Sequence, residues 1–331
     1  MRICLVSDAW LPQTNGVVTT LSTVVNHLEI LKHQVHVISP NQFKTIPCPT
    51  YPEIRLVVNP FKIVSSLESL SPSAVHIATE GPLGLVARHY CVKRKIPFTT
   101  SFHTRFPEYI HARTFIPPAW TYRLVRWFHA PAVRVMVAAD SIRKELKGRG
   151  FQNLTGWSRG VDAELFRPRT KKFLKFPRPI FLYVGRVAVE KNIRAFLDLK
   201  LKGTKLIVGD GPQLENLKRE YPKCVFVGVK YGDELAQYYA ASDAFIFPSR
   251  TDTFGLVMLE ALASGIPVAA YPVPGPLDVI NGSGVGILNE NLYQAALQCL
   301  LINPKKCRNY ALQFTWRSCA ELFFKNLEPI H

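Results

Sequence analysis

Two doubly wound α/β domains are what this sequence predicts, and three observations predict them. The chain has 331 residues, more than one hydrophobic core ordinarily serves, and 47% of them are hydrophobic, enough for two. Residues 3–38 read strand, loop, helix, strand, the opening unit of a parallel sheet. The same alternation restarts at residue 180, after a stretch rich in Pro, Arg and Lys and poor in periodicity. Composition narrows the partners. A net charge of +17 favours something anionic: nucleotide phosphates, an acidic membrane face or nucleic acid. Seven scattered cysteines without a C-x-x-C pair argue for reduced thiols in the cytoplasm and against a metal site or disulfide framework. No signal peptide opens the chain, and no apolar run approaches the ~18 residues a span needs, so any membrane is met at its surface.

The elements follow in order. Residues 3–6 form the first strand and 8–16 a Pro/Asn/Gly loop, with Asn15 and Gly16 at the handover to a helix. That helix carries Val17, Val18, Leu21, Val24, Val25, Leu28 and Leu31 on one face. The next strand is 35–38, and no G-x-G-x-x-G lies between the two, which disfavours dinucleotide oxidoreduction. Strand 75–78 leads into Thr79-Glu80-Gly81-Pro82 and a helix ending in Lys93-Arg94-Lys95. Strand 98–102 delivers His103 at its carboxyl end, where open α/β sheets bind ligands. Taken singly, such a histidine is more often structural. From Tyr109 to Ala139 there is no acidic residue. Within that stretch a helix over 119–130 puts Trp120, Leu124, Trp127 and Phe128 on one face, flanked by Arg123 and Arg126. Aromatic residues beside arginines suit an anionic headgroup layer, and they suit equally a face packed on the domain's own core. Strand 133–137 and helix 141–147 complete the first domain.

The second domain opens with strand 180–184, then Gly185-Arg186-Val187 and Glu190-Lys191-Asn192. Strand 205–208 runs into the turn Gly209-Asp210-Gly211-Pro212 and helix 213–220; strand 224–227 runs into Gly228-Val229-Lys230 and helix 233–241. Residues 244–247 then make a buried strand, Pro248 to Gly255 a loop, and Leu256, Leu259 and Leu262 a helix. Asp252 ends that loop and Glu260 stands one to two turns into the helix. Two carboxylates flanking a helix start with free N–H groups suit a ligand with a diphosphate in the middle and hydroxyls at both ends. On these residues alone, Asp252 reads equally as an N-cap and Glu260 as a solvated helix residue. Loops at 273–276 and 281–284, a helix over 291–302 and a last helix over 305–325 close the chain.

Asp252-x7-Glu260 followed by Ala-x-Ala-x-Gly-x-Pro-Val resembles the E-x7-E signature of retaining GT-B glycosyltransferases of family 4, with Asp where most members have Glu. The words Thr-Asp-Thr-Phe-Gly and the segment from His103 to Tyr109 are similar to a mannosyl- and glycolipid-type subgroup. The resemblance covers nearly the whole chain. It implies two Rossmann-like domains facing a central cleft: 1–160 on the acceptor side, a linker over 161–179, a nucleotide-sugar domain over 180–304, and a helix over 305–331 crossing back. It implies a metal-independent transfer, with retention, from a nucleotide diphosphate sugar, UDP-sugar favoured over GDP-mannose, without further cofactor. Arg186, Lys191 and the N–H groups of Phe254, Gly255 and Leu256 would take the diphosphate, which gathers charge as the glycosidic bond breaks. Glu260 would hold the ribose diol, Asp252 with Thr253 the sugar, and Gly16, Gly209, Asp210, Val229 and Lys230 the rest of the donor. Asn15, Gly16, Glu80, His103 and Arg105 would face the acceptor, with His103 also lining the reacting centre and orienting the sugar. His103, Asp252, Arg186 and Lys191 would be the catalytic set. Trp120, Arg123, Arg126 and Trp127 would face an anionic membrane. The acceptor would be a membrane lipid such as diacylglycerol, or a glycan, with the enzyme peripheral on the inner membrane face. Attack from the front face would pass the acceptor proton to the leaving phosphate. The loops at 273–284 are shorter than the Gly-Gly-x-x-Glu region common in this family. Charge alone admits one further class, a nucleic-acid-binding protein, but no recognised module supports it and no nucleic acid is expected.

Overall fold

Asn15 shows how locally the first turn of structure is dictated. Its side chain accepts the N–H groups of Val17 and Val18, both at 3.0 Å, and so starts the first helix. The computed structural model describes residues 1–13, 15–48 and 51–330; Thr14, within the loop read at 8–16, lies outside them. The chain divides into two units, Met1–Arg159 joined by the final segment from Trp316, and Gly160–Thr315.

In the first unit the order is β1 (Arg2–Val6), α1 (Gly16–Ile30), β2 (Gln34–Ile38), an antiparallel pair β3 (Thr45–Cys48) and β4 (Tyr51–Val57), α2 (Ile63–Leu70) and β5 (Ala74–Ile77). Then come α3 (Pro82–Arg94), β6 (Thr99–Phe102), α4 (Phe106–Thr114), α5 (Pro118–His129), β7 (Arg134–Val137), α6 (Asp140–Gly148) and β8 (Leu154–Gly156). Among the described residues, six strands pair in the order β2-β1-β5-β6-β7-β8, all parallel. Ile3, Cys4, Leu5 and Val6 are wholly buried, as a strand covered on both faces requires. The strand order reverses between β1 and β5.

The second unit continues with β9 (Ile180–Val184), α7 (Arg194–Leu197), β10 (Thr204–Val208), α8 (Leu214–Glu220), β11 (Val225–Phe226), α9 (Gly232–Ala241) and β12 (Ala244–Phe247). After it come α10 (Leu256–Ala263), β13 (Val268–Ala270), α11 (Pro276–Ile280), β14 (Gly286–Leu288), α12 (Leu292–Cys299) and α13 (Pro304–Ala311). Its described strands are ordered β11-β10-β9-β12-β13-β14, again all parallel, with the reversal between β9 and β12. Phe181, Ile207, Ile246 and Ala269 from neighbouring strands meet Phe196, Leu217 and Ala296 from the covering helices in its core.

The structure corrects three sequence readings. The single last helix over 305–325 is two, α13 and α14 (Trp316–Asn326), because the Phe314 carbonyl accepts Val161 N–H at 3.0 Å instead of continuing the ladder. Only α14 joins the first unit, where Asn326 Nδ2 donates to the Gly156 carbonyl at 2.9 Å. Residues 161–179, read as a linker, are fastened to the second unit: Phe166 is buried edge-on against Tyr239 at 5.5 Å, Arg169 pairs with Asp233 at 2.6 Å, and Lys171 with Asp243 at 2.7 Å. Pro276, read as loop, opens α11, the position where its fixed φ and missing N–H fit.

Candidate active site

In the second unit the crevice of an open α/β sheet falls outside the carboxyl ends of β9 and β12, where the strand order reverses. The loop after β9 carries Arg186 and Lys191; the loop after β12 carries Asp252 to Gly255. Three bonds stitch them together. Asn192 Nδ2 donates to the Pro248 carbonyl at 3.1 Å, Thr251 Oγ1 to the Glu190 carbonyl at 3.1 Å, and Lys191 Nζ to Asp252 Oδ1. The cation expected on phosphate and the carboxylate expected on sugar are therefore direct partners. The other Asp252 oxygen, Oδ2, is buried with no hydrogen-bond partner among the described residues.

The neighbouring turns crowd the same edge. Gly185 N–H bonds the Val208 carbonyl at 3.0 Å and Gly209 N–H the Gly228 carbonyl at 2.8 Å. A Cβ on Gly209 would lie 1.9 Å from the Gly185 carbonyl oxygen, and its φ of +143° suits glycine alone, so the turn before Asp210 admits no side chain. Beyond it, Val229 is exposed and Lys230 pairs with Glu234 at 2.6 Å. Gly255, at φ +87°, turns the chain into α10, and its carbonyl accepts Met258 N–H at 3.0 Å. Phe254 is buried, and the N–H groups of Gly255 and Leu256 lie at the helix start. One turn on, Glu260 Oε2 accepts Tyr239 O–H at 2.8 Å, and burial raises the carboxyl to about 7 against the smaller lowering by that bond. Sequence reasoning missed Tyr239, since nothing in α9 marks a tyrosine that reaches back to α10.

In the first unit the loops after β1 and β5 meet through Asp8. Its carboxylate accepts Thr79 Oγ1 at 2.9 Å and the N–H groups of Leu83 and Gly84 at 2.8 and 3.2 Å, capping α3. Glu80, beside it, is 3.1 Å from His129 Nε2, and His129 Nδ1 is 2.8 Å from Thr100 Oγ1 on β6. His103 follows β6, buried, with its ring edge-on to Trp157 at 5.5 Å and Nδ1 3.3 Å from Arg159 Nη2. Burial first, then Arg159, His76 and His129, hold its imidazole well below the usual value. Asn15 and Gly16 are exposed at the start of α1, Asn15 as its cap. Arg105, expected to face the acceptor, has only 11% of its side chain exposed and is held by Glu108 and Glu145, each at 3.0 Å. Tyr122 O–H completes this clasp of α4, α5 and α6 by donating to Glu108 at 2.7 Å.

On α5, Trp120 is 73% exposed, Leu124 63% and Trp127 51%, with Phe115 just before the helix at 82%. Phe128, expected on that face, is buried with Tyr122 and Val125, because it lies one residue around the helix, on the core side. Arg123 and Arg126 are exposed; Arg126 Nη1 reaches the Arg149 carbonyl at 3.1 Å, and Arg88 lies 3.9 Å over the Trp127 ring. Arg123, Arg126 and Trp127 line a cavity of 480 Å³ with Gly150, Phe151 and Gln152.

The comparisons with known proteins agree on one family. Residues 14–165 match the model described as Glycosyltransferase Family 4, and residues 178–302 that of Glycosyl transferases group 1. A GDP-mannose-dependent alpha-mannosyltransferase of Mycobacterium tuberculosis is 30% identical over 87% of this chain and 83% of its own. The chain belongs to the family-4 glycosyltransferases. An alpha-monoglucosyldiacylglycerol synthase of Streptococcus pneumoniae is 27% identical over the whole of this chain and 85% of its own. Among solved structures, sucrose-phosphate synthase of Thermosynechococcus elongatus matches with a TM-score of 0.79 at 20% identity, covering 98% of this chain and 97% of its own. The glycosyltransferase thus has the GT-B fold and is a hexosyltransferase. Among the described residues, no group of three or more His, Cys, Asp or Glu is placed to hold a metal ion, and no helix is long and apolar enough to cross a membrane.

Proposed function

We propose that this glycosyltransferase transfers a hexose, with retention, from a nucleotide diphosphate sugar to a membrane lipid of the diacylglycerol class while lying on an anionic membrane face at the cytoplasmic side. The donor part is supported by the crevice at β9 and β12. Lys191 and Arg186 would take the diphosphate together with the N–H groups of Phe254, Gly255 and Leu256, and fixed cations there act on charge that develops in the transition state. Glu260, oriented by Tyr239, would accept the ribose diol. Asp252, released by Lys191 as phosphate arrives, would turn to the sugar, where its Oδ2, without a hydrogen-bond partner among the described residues, would accept a hydroxyl. Gly209, Asp210, Val229 and Lys230 would edge the base and ribose, with Thr253 beside the sugar. In the first unit Glu80, His103, Asn15 and Gly16 would meet the acceptor and the reacting sugar. The transfer would use no metal.

The observation that carries the lipid reading is the exposed face of α5. Three large apolar side chains, flanked by arginines and lying in a stretch without one acidic residue, face solvent instead of the core. Such a face seats in headgroups, its rings at the acyl boundary and its guanidinium groups on lipid phosphate. Flotation with vesicles of neutral and of anionic lipid tests it. Binding that rises with the anionic fraction and falls with salt is expected, and equal recovery from both vesicle types would overturn the membrane part. A second reading, transfer from GDP-mannose to a lipid or polysaccharide, is favoured by the 30% identity to the mycobacterial mannosyltransferase. Labelled UDP- and GDP-sugars offered with diacylglycerol or with soluble glycans separate the two.

A further inference from the structure

A buried arginine that sequence reasoning passed over decides what His103 is able to do. Arg159 is only 5% exposed and is held from three sides. Its Nη1 donates to the carbonyls of Trp157 and Ser158, both at 3.0 Å, and its guanidinium lies 4.3 Å over the Trp157 ring. Its Nη2 points at His103 Nδ1 at 3.3 Å. A guanidinium has N–H donors and no acceptor. The nitrogen it faces must therefore be bare, and an imidazole with a bare Nδ1 carries its one proton on Nε2.

We propose that Arg159 is a positioning residue that holds His103 as the neutral Nε2–H tautomer, so that His103 donates a hydrogen bond to a sugar oxygen and does not serve as the base of the transfer. This rests on the placing of His103 at the reacting sugar under the proposed function. Two further features support it. The Trp157 edge fixes the plane of the ring, so the direction of Nε2–H is set along with its protonation. A fixed positive charge beside Nδ1, in a site closed to water, opposes a second proton. With Nε2 already protonated, the proton of the acceptor hydroxyl leaves by another group, such as the oxygen of the departing phosphate, and no step needs an imidazolium.

The test is a long-range proton–nitrogen correlation spectrum of the full chain labelled with ¹⁵N-histidine. Nine histidines make assignment necessary, and loss of one set of signals in His103→Gln provides it. At neutral pH the wild-type His103 is expected as the Nε2–H tautomer, and Arg159→Met as a mixture with Nδ1–H. A wild-type Nδ1–H or doubly protonated ring, or an unchanged tautomer in Arg159→Met, would overturn the proposal. The wild-type spectrum decides even if the methionine variant fails to fold. In turnover, Arg159→Met is expected to lose on the order of tenfold in kcat with little change in donor KM, and Arg159→Lys, which keeps a cationic donor, to recover part of it. His103→Gln, whose amide nitrogen reaches the Nε2 position, should keep more turnover than His103→Asn. If both turn over as wild type, the placing of His103 at the reaction centre fails, whereas the spectrum still decides what Arg159 does to the ring.

Discussion

The carboxyl ends of the two sheets hold their polar groups by different means. In the first unit the buried His103 and His129 and the part-buried Asp8 are held by fixed partners. In the second unit Lys191 and Asp252 hold each other with about a fifth of their side chains exposed, and Glu260 is bonded by the neutral Tyr239. The difference follows from what each edge would exchange. A charge that must leave its partner for a diphosphate has to stay near water, where separating the pair is cheap. A neutral donor that only orients a sugar gains from being locked, because fixing it beforehand removes the cost of ordering it during the reaction.

Substitutions can break or sharpen this contrast. The largest expected effect is in the locked unit: Arg105→Ala should lose about 3 kcal/mol of stability, since it removes the cation shared by two part-buried carboxylates and leaves Glu108 with Tyr122 O–H and Glu145 with Arg149. Denaturant titration reads this directly. A normal midpoint with lost turnover would instead return Arg105 to the acceptor role that its sequence position suggests. In the exchangeable unit, Lys191→Ala should lower kcat on the order of 10²-fold, about 2.7 kcal/mol, with the fold intact. An unaltered rate would show that the diphosphate is gripped elsewhere.

Glu260 gives a titration on the same side. Its folded value of about 7 lies above the ordinary 4.5, so between those values the folded chain binds more protons than the unfolded chain. Stability contributed by this group is therefore lost as pH rises from about 4.5 through about 7. The thermal midpoint of Glu260→Gln, relative to wild type, should stand higher at alkaline pH than at acid pH. The donor KM of the wild type should fall as the carboxylate ionises, and that of the variant should stay flat. A wild-type KM indifferent to pH across neutrality would remove Glu260 from the ribose. The smallest effect on the fold is expected on α5. Trp120→Ser with Leu124→Ser should change stability by about 0.5 kcal/mol or less, because both side chains already face solvent. The same pair should lose most of the vesicle binding seen by flotation, and retained binding would move the membrane contact to another face.

Periodicity found apolar strands such as β1, β9 and β12 and the apolar stripe of α1, because burial on two faces or one leaves its mark within a few residues. It did not find β3, β4, β8, β13 and β14, nor α2, α4, α7 and α11, all of them short, nor the break at Phe314, which is set by Val161 from far away in the chain. The candidate site divided in the same way. Asp252 and Glu260 stood out through their spacing about a helix start, and Arg186, Lys191 and His103 through the resemblance to family 4. Their partners did not: Tyr239 for Glu260, His129 for Glu80, Arg159 for His103.

The sequence by itself determined two parallel α/β units and the family, since these depend on local periodicity and on residues close together in the chain. Only the tertiary structure decided that Arg105 is a clasp, that Phe128 turns inward while Trp120 and Trp127 face out, and that Arg159 meets His103. A hydrogen bond or a buried face depends on distances of a few ångströms between segments tens of residues apart, and such distances exist only once the sheets have assembled.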